Sequence, residues 1–285
     1  MDVNRKQIMR KITAFAKNAL MAIGFISSLV SIAWALFPTS LAEYVKDKQW
    51  TCVAILIACS LLYGIYTIQK KKRIHIKLTE KVNAEIYFGD IFSNSGIIVI
   101  PVNEYFDTLV DENVISINTL HGKFIRNFFG GDEENLRRLI ANSLSNTEPI
   151  EINENRTSGN KHKYALGTVC EVTKDGKHFY LVALTKFNEV HRAEVKNSEY
   201  QRVICDLFYH IEQRSQGRKV SIPLIGAGHG GVDLSKQKLL EFILLSIFMS
   251  DKLTLINGVD VVLHSSIENE IDLAMVEILF KTFKG

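Results

Sequence analysis

The chain has 285 residues, 47% of them apolar and 23% charged, with a net charge of +3 and a mean hydropathy of +0.07. Disorder is excluded, since it needs few apolar residues and a large net charge, and with 17 Gly and 4 Pro so is a collagen-like or low-complexity chain. The charge is uneven: residues 1–73 hold eleven Lys and Arg against three acidic residues, a local +8 that leaves about −5 for residues 74–285, so a nucleic-acid partner, which needs a basic face, is not expected.

Two uncharged stretches come first. Ala19–Phe37 has nineteen residues and Trp50–Gln69 has twenty, fifteen of them apolar in each. At ~1.5 Å per residue each helix reaches roughly 29 Å, enough for a ~30 Å hydrocarbon core. Two such stretches side by side, each bounded by charge, predict two membrane spans rather than two buried core helices. Ser40-Leu41-Ala42 resembles a signal-peptide cleavage site, but the apolar stretch before it exceeds the usual ~7–15 residues and a second span follows at once.

Arg5, Lys6, Arg10, Lys11 and Lys17 precede the first span, and Lys70-Lys71-Lys72-Arg73 follow the second. Positive flanks stay cytoplasmic, so the expectation is a two-pass inner-membrane protein with both termini inside and Pro38–Gln49 as its outer turn. Lys70–Arg73 would meet anionic lipid headgroups. Gly24, Ser28 and Ser31 fall on one helix face at a spacing that lets a second helix approach closely; packing within the hairpin, packing between chains, and a pore lining all remain open. No ionisable residue lies within either span, so neither offers an ion-transport site.

Residues 1–73 are thus read as a membrane region and 74–285 as a cytoplasmic domain, joined through a basic, polar stretch, Arg73–Asn83. Strand-like segments follow at Ala84–Phe88, Gly96–Val102, Tyr164–Val172, His178–Leu184, Val220–Ile225 and Val261–His264. Helical patterns lie at Glu133–Leu144, Ser198–Gln213, Ser235–Met249 and Asn269–Phe283, with Asp132 as a candidate N-cap. The alternation predicts an α/β domain, a six-stranded mixed sheet sandwiched between helices. Ser145–Lys163 reads as a long polar loop. The four cysteines show neither a disulfide framework nor a zinc pattern; Cys170 and Cys205 are expected to be buried small hydrophobes.

The segment richest in chemistry is Ser221-Ile-Pro-Leu-Ile-Gly226-Ala227-Gly228-His229-Gly230-Gly231-Val-Asp233. A buried strand ends in four glycines among six residues, and a helix follows. Such a loop lets backbone approach a ligand, and its free N–H groups suit a phosphate or diphosphate. The GxGxxG match alone is weak, and without GK[ST] there is no P-loop. A second cluster is Gly89-Asp90-Ile91 followed by an apolar strand that delivers Asn103 at its carboxyl end, where ligands of α/β sheets collect. Asp90 suits an adenine amino group and Asn103 a ribose hydroxyl; the plainer alternatives are an Asx turn and a strand-end cap.

Together the Gly89-Asp90-Ile91 turn, the strand ending in Val102-Asn103, the Gly226–Gly231 loop and the closing Val261–Phe283 pair resemble a macro domain, over about 200 residues. The resemblance implies ADP-ribose binding, with Asp90 at the adenine, Asn103 at a ribose, and Gly226, Ala227, Gly228, His229, Gly230 and Gly231 at the diphosphate. Hydrolytic members continue as Asn-Ala-Ala-Asn and a second Gly-rich loop. Here Glu104-Tyr105-Phe106-Asp107 follows Asn103, and Ser116–Gly122 stands in that loop's place, so the resemblance implies binding without a catalytic residue or metal ligand. Two spans before such a domain resemble the ThsA-type membrane effectors of type II Thoeris anti-phage defence. That family implies a histidine-ADP-ribose messenger released by a TIR-domain partner that consumes NAD, homo-oligomers, and membrane disruption ending in abortive infection. For the charged amino-acid group of such a messenger the polar candidates are His121, Lys123, Thr185, Lys186, Asn188 and His229.

Overall fold

A computed structural model describes residues 2–46, 48–68, 71–187, 193–228, 232–250 and 252–282. Two compact units emerge, Met1–Lys70 and Lys71–Gly285.

The first unit contains helices α1 (Asp2–Leu36), α2 (Pro38–Val45) and α3 (Gln49–Ile68). Pro38 starts α2, where its missing N–H costs nothing. Within α1, Phe15–Leu36 is long and apolar enough to cross a membrane, with a mean hydropathy of 2.1 over its best stretch. The apolar part of α3 that is described, Gln49–Gly64, is shorter, so among the described residues one helix meets the requirement where the sequence predicts two. The two helices meet at Ala19 and Gly64: a Cβ on Gly64 would lie 2.7 Å from the Phe15 ring. The face of Gly24, Ser28 and Ser31 is not used there; Gly24 has open space where a Cβ would stand, and the two hydroxyls donate to carbonyls of their own helix.

The second unit is built on an eight-stranded mixed sheet, two strands more than the sequence predicts. Its strands are β1 (Arg73–Lys77), β2 (Val82–Phe88), β3 (Ile97–Asn103), β6 (Val169–Lys174), β7 (Lys177–Phe187), β8 (Ala193–Glu194), β9 (Val220–Pro223) and β10 (Leu255–Leu263). The order is β1-β2-β10-β9-β3-β7-β6, with β8 pairing β7. β2, β10, β9, β3 and β7 run parallel, and the antiparallel β1, β6 and β8 flank them. The short hairpin β4 (Glu151–Ile152) and β5 (His162–Lys163) stands apart.

Period-two alternation decides which side chain goes to which face. In β3, Ile97 and Val99 join one core, and Ile98, Ile100 and Val102 join the other. The first core is closed by α6 (Asn197–Arg214), α7 (Lys236–Phe248) and α8 (Leu273–Thr282), through residues such as Leu207, Leu240 and Val276. The second is closed by α4 (Leu120–Phe129) and α5 (Glu133–Ser143), through Phe124, Ile125, Leu136 and Ile140.

The differences from expectation have local causes. Arg73–Lys77, expected to belong to the linker, is an edge strand with the burial pattern of alternating exposed charge and buried isoleucine. Helix α4 follows Thr119, whose hydroxyl accepts from the Gly122 amide at 3.0 Å as an N-cap. Asp132 precedes α5 but makes no side-chain cap. Cys170 is buried, and burial pushes its thiol up to about 12. Cys205 is exposed, because it sits between Ile204 and Asp206 on the outer side of α6.

Phe124 touches the rings of Phe128, Phe129 and Phe179 and has no solvent exposure. Phe124→Ala is expected to lower the unfolding free energy of this unit by about 3–5 kcal/mol, measured by chemical denaturation.

Candidate functional site

Parallel strands deliver the residues that follow them to one edge of the sheet, and there the molecule has its large cavity, about 1010 Å³. That is the upper end of the ~300–1,000 Å³ usual for small-molecule sites. Its rim is made by Gly89-Asp90 after β2, His264 after β10, Leu224 and Gly226–Gly228 after β9, Asn103 at the end of β3, and Thr185 and Phe187 at the end of β7.

Asp90 lines the cavity, and one carboxylate oxygen accepts from the Phe92 amide at 3.0 Å. The plain Asx-turn reading is therefore realised, with acceptor capacity left over. Phe92 stands beside it on the same wall. The glycine loop is held from below by Tyr200, whose hydroxyl donates to the Ile225 carbonyl at 3.1 Å. Gly226 has φ +86°, and a Cβ there would lie 2.8 Å from Val232, so both conformation and space call for glycine. Ala227 and Gly228 continue the wall, and the Gly228 amide has no partner among the described residues. Helix α7 then begins behind Ser235, whose side chain accepts from the Lys238 amide at 3.4 Å. His229, Gly230 and Gly231 lie outside the described residues, as does Asn188.

Asn103 reaches the cavity wall, but its amide is committed to the protein. Its Oδ1 accepts from the Tyr105 and Asp107 amides at 3.1 and 3.4 Å, and its Nδ2 donates to Asp107 at 3.0 Å. A ribose contact from that oxygen is not what the geometry offers. Asp107 is the hub of a network absent from the sequence expectations. Fully buried, it accepts from Arg156 Nη1 and Nη2 at 2.8 and 2.7 Å and from the Asn160 amide at 2.7 Å. The Arg156 guanidinium lies over the Tyr105 ring, 3.9 Å from its centre, and 5.4 Å from that of Phe187. Glu104 accepts from the Phe187 amide at 3.1 Å, and burial holds its carboxyl above the usual range.

His121, in the first turn of α4, is buried on the cavity wall. Burial outweighs the nearby Asp107 and lowers its pKa to about 4. The imidazole is thus neutral at pH 7, with one nitrogen left as an acceptor. Lys123 and Thr185 also line the cavity, whereas Lys186 does not and pairs with Glu199 at 2.6 Å.

The sequence expectations missed Phe92, the Glu112–Ser116 stretch, Phe187, Lys236 and Ser265–Ile267, all of which line the cavity. The signal that finds Phe92, Phe187 and Ser265–Ile267 is position, since each stands at or just beyond the carboxyl end of a parallel strand. A smaller cavity lies elsewhere, among Gly167, Asp206, His210 and Arg214. Among the described residues no group of His, Cys, Asp and Glu is arranged to hold a metal ion.

Comparison with known proteins adds to this geometry. Residues 84–264 match the family described as Thoeris protein ThsA, Macro domain. Over 231 residues the chain is 31% identical to the Thoeris protein ThsA of Bacillus amyloliquefaciens (strain Y2), covering 74% of this chain and 76% of that protein. In fold it is similar to a mutant Oceanobacillus iheyensis macrodomain with ADPR, at a TM-score of 0.51 and 14% identity over 73% of this chain and 99% of that one. The same organism's macrodomain with ADP gives a TM-score of 0.50 and 13% identity over 75% and 98%.

Two outcomes follow from the buried polar groups. Arg156→Met leaves the Asp107 carboxylate buried without its cation, and is expected to cost about 3–5 kcal/mol in chemical denaturation. Unfolded, His121 takes its proton near 6.5; folded, only near 4. Its contribution is therefore full above about pH 6.5 and lost as the pH falls towards 4, by about 3 kcal/mol. His121→Gln is expected to remove that part of the pH dependence of unfolding.

Proposed function

This chain belongs to the Thoeris ThsA family of macro-domain proteins, and from that we propose that it is a membrane-anchored sensor of an ADP-ribose-derived messenger. The observation that carries this reading is the cavity at the carboxyl edge of the parallel strands, with Asp90 at one end and the Gly226–Gly228 backbone at its middle. In the proposed complex Asp90 accepts from the adenine amino group, and the diphosphate lies along the glycine loop up to the start of α7, where backbone N–H groups favour anions. His229, Gly230 and Gly231 are assigned to the same loop.

Binding rather than turnover is the better reading, because both acceptor positions of the Asn103 oxygen are occupied by backbone amides. The wider scheme is that of the family: a TIR-domain partner consumes NAD on infection and releases histidine-ADP-ribose. The sensor binds it, homo-oligomers form, and the membrane is breached, ending in abortive infection. Phe15–Leu36 supplies an anchor long enough to span. Both basic flanks, Arg5–Lys17 and Lys70–Arg73, are assigned to the cytoplasmic side, with α3 as the returning arm of a two-pass hairpin. The ligand favours assembly only as far as it binds the assembled form better than the free one.

Calorimetry of the full chain in nanodiscs against ADP-ribose and histidine-ADP-ribose tests the reading; absence of micromolar binding of both would overturn it. A Cβ on Gly228 meets no atom within 4 Å, so Gly228→Glu fits the fold while filling the cavity. It is expected to weaken either ligand at least tenfold with an unchanged melting temperature, and to abolish ligand-triggered leakage from liposomes.

A further inference from the structure

Helix α8 is apolar on two faces. Leu273, Val276 and Phe280 fill the core beneath it. On its outer side, the exposed residues between Leu273 and Phe280 are Met275 and Ile278, at 53% and 67%. Helix α5, by contrast, turns Glu134, Arg137, Arg138 and Asn142 to solvent. Single exposed apolar residues are ordinary, but residues three apart on a helix are neighbours, so Met275 and Ile278 form one patch. A helix apolar on opposite faces calls for a second apolar surface besides the core it already covers.

The charges of α8 lie on the flank between those faces. Glu277 and Lys281 stand one turn apart and pair at 2.8 Å, and Lys71 pairs with the same carboxylate. Two cations share one anion, and both lysines keep half or more of their side-chain surface exposed. Lys72 follows, more exposed still. Asp272, just before the helix, is committed to its first turn, accepting from the Ala274 and Met275 amides at 3.0 and 3.2 Å.

Lys71 also says what this flank can reach. It stands three residues beyond Ile68, where α3 ends, and three residues of chain span at most about 11 Å. With α3 as the returning arm of the hairpin, Lys71 is held at or near the headgroup zone, which adds about 5–8 Å to each side of the hydrocarbon core, and the α8 flank is held with it. An apolar patch beside exposed lysines is the composition of a helix lying in a membrane interface, where apolar side chains enter the acyl boundary and lysines reach the phosphates. A symmetric contact with a second copy would cover the patch too, but would bring the same lysines together.

We propose that the outer face of α8, Met275 and Ile278 with Lys71, Lys72 and Lys281 beside them, docks on the anionic surface of the bilayer. This rests on the two-pass anchor proposed above and adds a membrane contact made by the macro-domain unit itself. No described residue of α8 lines the cavity, so ligand site and membrane contact are made by different elements.

The test places a photocrosslinker in the full chain, reconstituted in phosphatidylcholine liposomes with and without phosphatidylglycerol. Ile278→p-benzoylphenylalanine is compared with the same replacement of Tyr209, which is as exposed on α6 at 68%. After illumination, mass spectrometry is expected to find at least about fivefold more lipid adduct at position 278 than at 209, as burial of one side chain in the interface and hydration of the other require. Phosphatidylglycerol is expected to raise the yield at 278. Where the replacement at 278 disturbs folding, read from the melting temperature, the same replacement of Met275 decides. Equal yields at 278 and 209, or a crosslink from 278 to a second copy in place of lipid, would overturn the docking face; a yield that phosphatidylglycerol leaves unchanged would overturn the role given to the lysines. Alkaline extraction of the same liposomes separates the two readings: chains washed off show that the anchor itself fails, whereas chains that stay embedded without adduct at 278 show that only the docking face does.

Discussion

Strand β3 is hydrogen-bonded on both sides, to β7 and β9, and Ile97, Ile98, Val99 and Ile100 have no solvent exposure. A strand in that position must be apolar on both faces, and here it runs parallel to both neighbours, so the connections that join these strands are helices and long loops packed on the sheet. Everything at the site depends on this. Five strands fixed in one direction bring five chain reversals to one edge, where residues from 89 to 267 in sequence become neighbours. The helices that cover the two faces keep water off the sheet but leave its edge open. The cavity is the space that this arrangement leaves unfilled.

What differs along the edge is how each reversal is made polar. After β9 the work is done by backbone: Gly226 takes a positive φ that no side chain there would fit, and the loop presents amides. After β3 it is done by side chains, through Asn103, Asp107 and Arg156. The two solutions have different consequences. A glycine loop tolerates any ligand able to accept from N–H groups. The side-chain network instead sets a guanidinium against the Tyr105 and Phe187 rings and fixes the wall through side chains rather than backbone. Its ionic part adds little to stability, by comparison with an apolar wall of the same volume, so its retention is better explained by geometry than by folding energy.

The sequence shows some of this directly and hides the rest for physical reasons. Ile97–Val102 is legible because burial on both faces leaves only apolar residues to choose from, and Ser235–Met249 because its buried Leu239, Leu240, Ile243, Leu244 and Ile247 recur at helical spacing. Arg73-Ile-His-Ile-Lys is not, since the charges that guard an edge strand against pairing also make it look like a linker. Helix α4 is obscured by Gly122 inside its first turn, a residue poor for helices. The glycine is there because a Cβ would run into the Ser116 carbonyl. The ends of strands were visible, and with them Asp90, Asn103 and the glycine loop. The Asp107–Arg156 pair was not, because its partners are 49 residues apart and Arg156 lies in what reads as a polar loop. Asn103 illustrates the limit: residue type and strand position put it at the edge, while its hydrogen bonds, which decide what it can offer a ligand, come from residues after it.

The first residues of the macro-domain unit enter at this same edge. The Phe88 amide donates to the Lys72 carbonyl at 3.3 Å, just before the Gly89-Asp90 turn, and Lys72 pairs at 3.3 Å with Glu268, which follows the Ser265–Ile267 wall of the cavity. Lys71 pairs with Glu277 of α8. Magnitudes limit what these contacts can transmit. Exposed ion pairs are worth ~0–1 kcal/mol each, and Lys72 keeps 74% of its side-chain surface exposed. Taking a two-state equilibrium from 1:99 to 99:1 requires a differential of about 5.5 kcal/mol. The two lysine pairs together fall short of that. A ligand able to move the N-terminal unit from one state to another would therefore have to draw most of its leverage from the cavity itself, through buried contacts made in one state and lost in the other, with the ion pairs only setting where the chain leaves the domain.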